Sequence, residues 1–116
     1  MILNHIDLQI HDVQKTAAFF ERHLGFTLTT SRTTPAIAIL EGERGVVVVL
    51  QRRKTEEPYP EGFHIGFLVD DIQTVVAFQA RVASEGAAVS AVDRNARGTM
   101  VYCRHDGVLI EVSCRK

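Results

Sequence analysis

The stretch from His5 to Phe19 reads HIDLQIHDVQKTAAF, and the stretch from His64 to Phe78 reads HIGFLVDDIQTVVAF. Six of the fifteen aligned positions are identical, at a constant offset of 59 residues. The identical pairs are His5/His64, Ile6/Ile65, Asp12/Asp71, Gln14/Gln73, Ala18/Ala77 and Phe19/Phe78. This internal repeat predicts two copies of one structural unit, with a histidine at the same position in each copy.

Each copy of the repeat predicts one strand, one helix and then three more strands. In the first copy, alternating apolar residues predict a strand over Leu3–Ile10. Asp12 is a favourable N-cap for the helix that follows, and Gly25 is a typical residue at its end. Further strands are predicted over Phe26–Arg32, Ala36–Glu41 and Gly45–Gln51.

The second copy repeats this order after a linker. The segment Lys54–Gly62 contains two prolines, a glycine and three glutamates, a composition typical of a connection. A strand is then predicted over Phe63–Val69, and a helix begins at the cap Asp71 and ends near Gly86. The remaining predicted strands are Val89–Val92, Thr99–Cys103 and Val108–Cys114, with a tight turn at residues 105–107 between the last two.

We therefore expect a single α+β domain over residues 1–116, built from two βαβββ modules. Module 1 covers residues 1–53, the linker covers residues 54–62 and module 2 covers residues 63–116. Each module is expected to form a four-stranded half-sheet, mixed and mainly antiparallel, with its helix on the outer face. The other faces are expected to curve together around a cavity.

Composition excludes several classes of partner. The formal net charge is −1, which predicts no general attraction to nucleic acid or to an anionic membrane. The sequence contains no apolar stretch near 20 residues, and its first ten residues do not resemble a signal peptide. The two cysteines are too few to crosslink a fold. We expect a reduced, cytoplasmic protein that binds neither nucleic acid nor membrane.

The two repeated histidines and one glutamate form the strongest candidate site. Glu111 lies in the last predicted strand, where its neighbours Ile110 and Val112 are expected to face the helix. The Glu111 carboxylate is therefore expected on the cavity face, where it is costly unless it is paired or coordinates a metal. Two imidazoles and one carboxylate from three strands bind Fe(II), Mn(II), Ni(II) or Zn(II) and leave positions open for substrate. This pattern predicts a metal site at His5, His64 and Glu111.

Simpler interpretations exist for each of these residues taken alone. A histidine at the start of a strand is more often a surface residue or a hydrogen-bonded core residue, and a glutamate on an outer strand is more often exposed to solvent. The repeat, which matches His5 with His64, favours the metal site. His11, His23 and His105 lie at helix ends or in a turn, and we expect them at the surface.

The chain resembles a known family. Two His-Ile pairs, the segment FFERHLGF over residues 19–26 and the terminal DGVLIEV over residues 106–112 are similar to the vicinal oxygen chelate superfamily. That superfamily includes glyoxalases, bleomycin resistance proteins, extradiol dioxygenases and fosfomycin resistance proteins. The resemblance covers essentially the whole chain and implies the ligands His5, His64 and Glu111. The family's fourth ligand position falls on Val49, which cannot bind a metal.

The missing fourth ligand affects which members the chain resembles. Glyoxalase I and methylmalonyl-CoA epimerase use four protein ligands, so Val49 weakens the similarity to them. Three ligands are similar to extradiol dioxygenases and to fosfomycin thiol transferases. The fosfomycin enzymes also need cationic residues, for which Arg94 and Arg97 are candidates, as are Arg115 and Lys116. Solvated loop charges are the simpler interpretation of these arginines.

The resemblance implies a metal-dependent enzyme that acts on a small molecule chelated through adjacent oxygens, by dioxygenase, lyase or thiol-transferase chemistry. Asp7 is the candidate catalytic base, although a solvated strand residue is the simpler interpretation, and Gln9, Arg97 and Tyr102 are candidate substrate-binding residues. The alternative is a non-catalytic protein of the bleomycin-resistance type that sequesters a small molecule, and a sensor domain or subunit is a third possibility. The resemblance also implies a homodimer.

Overall fold

The computed structural model describes residues 1–29 and 34–116, and it divides into two units, Met1–Glu57 and Pro58–Lys116. The division falls inside the segment 54–62 that the sequence marks as a linker. That the two units together form one domain stays a prediction. Among the described helices, none is both long and apolar enough to cross a membrane.

Within its described residues, the first unit contains one helix packed on a four-stranded sheet. Its elements are β1 (His5–Ile10), α1 (Val13–His23), β2 (Thr27–Leu28), β3 (Ile37–Glu41) and β4 (Val47–Arg52), with a short 3-10 turn at Glu43–Gly45. The strand order is β1-β4-β3-β2. Strand β1 pairs with β4 in parallel, and the other neighbours are antiparallel.

The helix α1 begins and ends where the sequence predicts. The Asp12 carboxylate accepts a hydrogen bond from the Lys15 backbone N–H at 3.0 Å, which satisfies one of the unpaired amides of the first turn. Gly25 follows the helix with a φ of +75°, a conformation that glycine adopts without strain. The helix contacts β3 and β4. Its buried side chains are Val13, Thr16, Ala17, Phe19 and Phe20.

The second unit has the same order of elements with one addition. Its elements are β5 (His64–Leu68), α2 (Ile72–Ser84), β6 (Ala88–Val89), β7 (Asp93–Asn95), β8 (Gly98–His105) and β9 (Val108–Cys114). Over these described residues the sheet has five strands, in the order β5-β9-β8-β6, with β7 paired to β8. Strand β5 pairs with β9 in parallel, and the other pairs are antiparallel.

The core of the second unit lies between α2 and the strands β8 and β9. In β9, Val108, Ile110 and Val112 are buried, while Leu109 and Glu111 alternate with them on the other face. In β8, the residues from Gly98 to Val101 and Cys103 are all buried, whereas Tyr102 is partly exposed. Both cysteines are buried and form no disulfide, and burial raises the pKa of the Cys103 thiol.

The α+β fold class with two mixed sheets is confirmed, several predicted strand ends shift by one or two residues, and three predicted strands illustrate the corrections. The first strand begins at His5 rather than Leu3. The strand predicted over Phe26–Arg32 is present only at Thr27–Leu28 in the described part of the chain, and residues 30–32 lie outside it. The strand predicted over Val89–Val92 is wrong, because Ala88–Val89 ends early and β7 follows. The sequence of β7, Asp-Arg-Asn, has no apolar alternation that could have indicated a strand.

Candidate functional site

His64 and Glu111 come together on one face of the sheet in the second unit. The parallel register places Gly66 beside Glu111, and alternation puts His64 and Gly66 on the same face as Glu111. The atoms His64 Nε2 and Glu111 Oε2 are 3.6 Å apart. The glutamate side chain is only 17% exposed, whereas that of His64 is 43% exposed. A largely buried carboxylate therefore faces an accessible imidazole.

Gly66 lies beside the Glu111 carboxylate. A Cβ atom added at Gly66 would lie 3.6 Å from Glu111 Oε2, in ordinary contact, and any longer side chain would extend toward the carboxylate. Glycine, the smallest residue, therefore lies next to the Glu111 carboxylate, on the strand that carries His64.

A backbone carbonyl orients the His64 ring. Its Nδ1 atom lies 3.0 Å from the carbonyl oxygen of Gly62. Because a carbonyl oxygen only accepts hydrogen bonds, Nδ1 carries the proton, and in the neutral ring Nε2 has a free lone pair. This tautomer, with the other nitrogen hydrogen-bonded to a carbonyl, is the usual state of a histidine that binds a metal through Nε2.

The spacing of the two side chains suits a shared metal ion. Donor atoms that each lie about 2.1 Å from one ion are roughly 3 to 3.5 Å apart in tetrahedral or octahedral geometry. The 3.6 Å between His64 Nε2 and Glu111 Oε2 is close to this value. The nitrogen and carboxylate donors match those of Zn(II), Fe(II), Mn(II) and Ni(II) sites. These two residues therefore fit a divalent transition metal.

Tyr102 borders this pair on β8. It is the register partner of Glu111, and its hydroxyl lies 3.5 Å from Glu111 Oε1. Its ring meets the His64 ring edge-on at a centroid distance of 6.3 Å. Tyr102, predicted as a substrate-binding residue, is therefore a neighbour of both His64 and Glu111.

Met100 connects Tyr102 with the β7–β8 turn. Its sulfur lies 3.8 Å from the Tyr102 hydroxyl, 3.7 Å from Arg97 Nη2 and 3.8 Å from Asn95 Nδ2. The side chain is 2% exposed, so this sulfur forms a buried contact for three polar groups. Sequence reasoning missed Met100, although strand alternation places it on the same face as Tyr102. Arg94, another cationic candidate in this region, is the register partner of Thr99, so it lies on the opposite face of the sheet from Met100.

In the first unit, His5, Asp7 and Gln9 share one face of β1. Their register partners on β4 are Val47, Val49 and Gln51. His5 is exposed, and its Nδ1 lies 2.7 Å from Asn4 Oδ1. The role of His5 as a third metal ligand stays a prediction.

Asp7 is held by two glutamine amides. Gln9 Nε2 donates to Asp7 Oδ1 at 2.6 Å, and Gln51 Nε2 donates to Asp7 Oδ2. Asp7 is thus hydrogen-bonded within the sheet rather than only solvated. Gln51 was missed by sequence reasoning because its contact with Asp7 depends on the β1–β4 register, over 44 residues of chain.

The remaining histidines have other partners. His11 Nε2 lies 3.2 Å from Glu56 Oε2 in an exposed pair, which contributes little to stability. The His23 ring packs on Phe19 at a centroid distance of 4.9 Å, and His105 ends β8. Within residues 1–29 and 34–116, no group of three or more His, Cys, Asp and Glu side chains is arranged to hold a metal.

Comparison with known families identifies one match. The family model of the Glyoxalase/Bleomycin resistance protein/Dioxygenase superfamily matches residues 2–112. Among curated proteins, none matches the chain.

Solved structures with the same fold include several from this group. A structure described as a possible glyoxalase from Bacillus cereus is 28% identical, with a TM-score of 0.84, and the alignment covers 98% of this chain and 99% of that one. Lactoylglutathione lyase from Agrobacterium tumefaciens is 19% identical, with a TM-score of 0.75 and coverage of 97% and 92%. A variant of the fosfomycin resistance protein FosX from Listeria monocytogenes, in complex with Mn(II) and 1S,2S-dihydroxypropylphosphonic acid, is 18% identical. Its TM-score is 0.80, and the coverage is 100% and 95%.

Proposed function

Because the chain belongs to the glyoxalase/bleomycin resistance protein/dioxygenase superfamily, we propose that it is a divalent-metal-dependent enzyme. Its substrate is a small molecule that binds the metal through two adjacent oxygens. The observation that carries this proposal is the pair His64 and Glu111, 3.6 Å apart, with the Nδ1 of His64 hydrogen-bonded to a carbonyl. With Nδ1 directed to that carbonyl, Nε2 and the adjacent carboxylate are the donor atoms that a metal ligand pair requires.

The proposed protein ligands are His64, Glu111 and His5. The first two are neighbours within one sheet, and His5 is included because it is the repeat equivalent of His64. Mn(II) is the first metal to test, since the FosX variant was solved with it. Fe(II), Ni(II) and Zn(II) suit the same donors.

The bound metal would act as a Lewis acid that stabilises negative charge developing on the chelated oxygens. The chain's own residues bind and orient the substrate. The Tyr102 hydroxyl donates to Glu111 Oε1 at 3.5 Å, and its oxygen can accept a hydrogen bond from a substrate hydroxyl. The Arg97 guanidinium, held near Met100, supplies a positive charge at the turn between β7 and β8. Gln9 stays a candidate substrate contact, and Asp7 a candidate base, on the corresponding face of the first unit.

A second candidate is a non-catalytic protein that sequesters a small molecule. What supports it is that the superfamily whose model matches residues 2–112 also includes bleomycin resistance proteins. In that case the contact between His64 and Glu111 is a simple ion pair or hydrogen bond. A homodimer and a cytoplasmic location also stay predictions.

The metal content of the purified, untagged protein tests the choice between these functions. We expect close to one metal per chain in the wild type after incubation with Mn(II) and desalting, and loss of that metal in Glu111→Gln. Glu61→Gln is the matched control, because Glu61 is an exposed glutamate of the same unit. Wild-type protein that retains none of Mn(II), Fe(II), Ni(II) or Zn(II) would contradict the enzyme proposal and favour the sequestering protein.

A further inference from the structure

The turn that precedes β5 holds one peptide group from both sides. The peptide between Gly62 and Phe63 donates its N–H to the Pro60 carbonyl at 3.0 Å, which closes a turn over residues 60–63. The carbonyl of the same peptide accepts a hydrogen bond from His64 Nδ1 at 3.0 Å. Because a peptide group is planar, the turn that fixes its N–H also fixes the direction of its carbonyl. The orientation of the His64 ring therefore depends on a closed turn.

Two aromatic side chains flank this turn and lie against each other. Tyr59 comes immediately before the turn, and Phe63 is its last residue. Their rings are stacked, with centroids 4.8 Å apart and planes inclined by 13°. Aromatic rings attract each other at this separation, and both side chains are half-buried. The stack joins the two ends of the turn, so it opposes opening of the turn.

The first unit holds its repeated histidine in another way. The repeat aligns Asn4 with Phe63 at the offset of 59 residues, and Asn4 Oδ1 lies 2.7 Å from His5 Nδ1. Both residues are exposed, and exposed side chains change rotamer readily. The Gly62 carbonyl, in contrast, belongs to the backbone of a closed turn. The firmer hold thus accompanies the histidine that faces Glu111.

We propose that Tyr59 and Phe63 are positioning residues for His64. Their stack keeps the turn closed, and the closed turn directs the Gly62 carbonyl at Nδ1. The Nε2 atom is then left facing Glu111. The two aromatic residues act through the backbone rather than by contact with a metal or a substrate. This inference rests on the proposed function, in which Nε2 is a metal donor, but the protonation of the ring can be measured without metal.

The test determines by NMR which nitrogen of His64 carries the proton, in metal-free protein labelled with nitrogen-15 histidine. Spectra are recorded at a pH at which the ring is neutral, and His64→Gln identifies the His64 signals. We expect the proton on Nδ1 in the wild type. In Tyr59→Ala we expect it to be divided between Nδ1 and Nε2, because the Glu111 carboxylate then competes as an acceptor. The other four histidines are internal controls.

Tyr59→Phe is the matched control, because it keeps the ring and removes only the hydroxyl. We expect its His64 signals to match those of the wild type. Thermal unfolding shows which variants are folded. Tyr59→Leu, which keeps apolar bulk without a ring, takes the place of Tyr59→Ala if the alanine variant does not fold, and the same change in the His64 signals is expected.

Metal affinity is the second measurement. We expect Tyr59→Ala to bind Mn(II) about tenfold more weakly than the wild type in calorimetry, because part of the protein then carries the proton on the metal-binding nitrogen. Tyr59→Phe is expected to bind Mn(II) as the wild type does.

The outcomes separate this inference from the proposed function. If the wild type binds Mn(II) and Glu111→Gln does not, but folded Tyr59→Ala keeps the wild-type tautomer or the wild-type affinity, the inference is overturned and the proposed function stands. A Tyr59→Phe variant that behaves like Tyr59→Ala also overturns the inference, because the hydroxyl rather than the stack then holds the turn. If the tautomer changes as expected but the wild type binds no metal, the proposed function is overturned and the hold of the stack on the His64 ring is supported.

Discussion

At the scale of single residues, one backbone carbonyl decides which nitrogen of His64 faces Glu111. The Gly62 oxygen accepts a hydrogen bond from Nδ1, and this contact leaves Nε2 facing the Glu111 carboxylate. The sequence could predict that His64 belongs to a site, because the repeat matches it with His5. It could not predict the tautomer, since that depends on a turn geometry with no signature of its own.

Asp71 shows a second local effect, with a testable pH dependence. The backbone N–H of Thr74, and then its hydroxyl, donate to Asp71 and lower the pKa of this carboxyl below its usual 3.8. A lowered folded-state pKa means that the ionised group stabilises the fold above pH 3.8, and that this contribution is lost as the pH falls through the folded-state pKa.

Replacing Asp71 with asparagine keeps an acceptor at the N-cap but removes the charge. We expect Asp71→Asn to lower the unfolding temperature at neutral pH, and we expect the difference from the wild type to shrink below pH 3.8. Thermal unfolding followed by circular dichroism over this pH range measures the effect, with Asp70→Asn as the control. A constant difference at every pH would show that charge at Asp71 does not matter.

At the scale of elements, the hairpin of β8 and β9 carries the core on one face and the candidate site on the other. Its start is tightly packed: Gly98 has a φ of +128°, and a Cβ atom there would lie 2.0 Å from the carbonyl oxygen of Cys114. The positive φ of Gly98 and the contact with Cys114 both involve backbone atoms. Rotation of a neighbouring side chain therefore cannot make room for a side chain at this position.

We therefore expect Gly98→Ala to destabilise the protein by about 2 kcal/mol or more, as measured by urea unfolding. Gly62→Ala is the control, since nothing lies within 4 Å of a Cβ atom at that position. Equal free energies of unfolding for the two variants would contradict the packing described for this hairpin.

The elements also show where prediction from sequence succeeds and where it stops. The predicted bounds of strand β9 match the structure because apolar and polar residues alternate from Ile110 to Cys114, next to the tight turn at residues 105–107. Strand β7 was missed because its three residues are polar, and only pairing with β8 makes them a strand. Met100 and Gln51 were missed for a related reason, because their partners lie on other strands and are brought to them by register.

At the scale of the whole molecule, the repeat predicted the α+β class, since two copies of one pattern require two similar units. Each unit places its first strand beside its last long strand in parallel, which aligns His5 with Val47 and His64 with Leu109. The units differ at equivalent positions of this strand pair: the second carries Glu111 on β9, and the first carries Asp7, with its two glutamines, on β1 and β4. The repeat alone could not show this difference, because it becomes visible only when the strands are paired.

The central claim is that His64 and Glu111 hold a divalent metal, and a crystal grown with Mn(II) tests it most directly. Anomalous scattering from manganese locates the ion independently of the protein atoms. We predict an anomalous peak within about 2.0 to 2.3 Å of both His64 Nε2 and a carboxylate oxygen of Glu111. A structure in which these two side chains remain in contact and manganese is absent or bound elsewhere would contradict the claim.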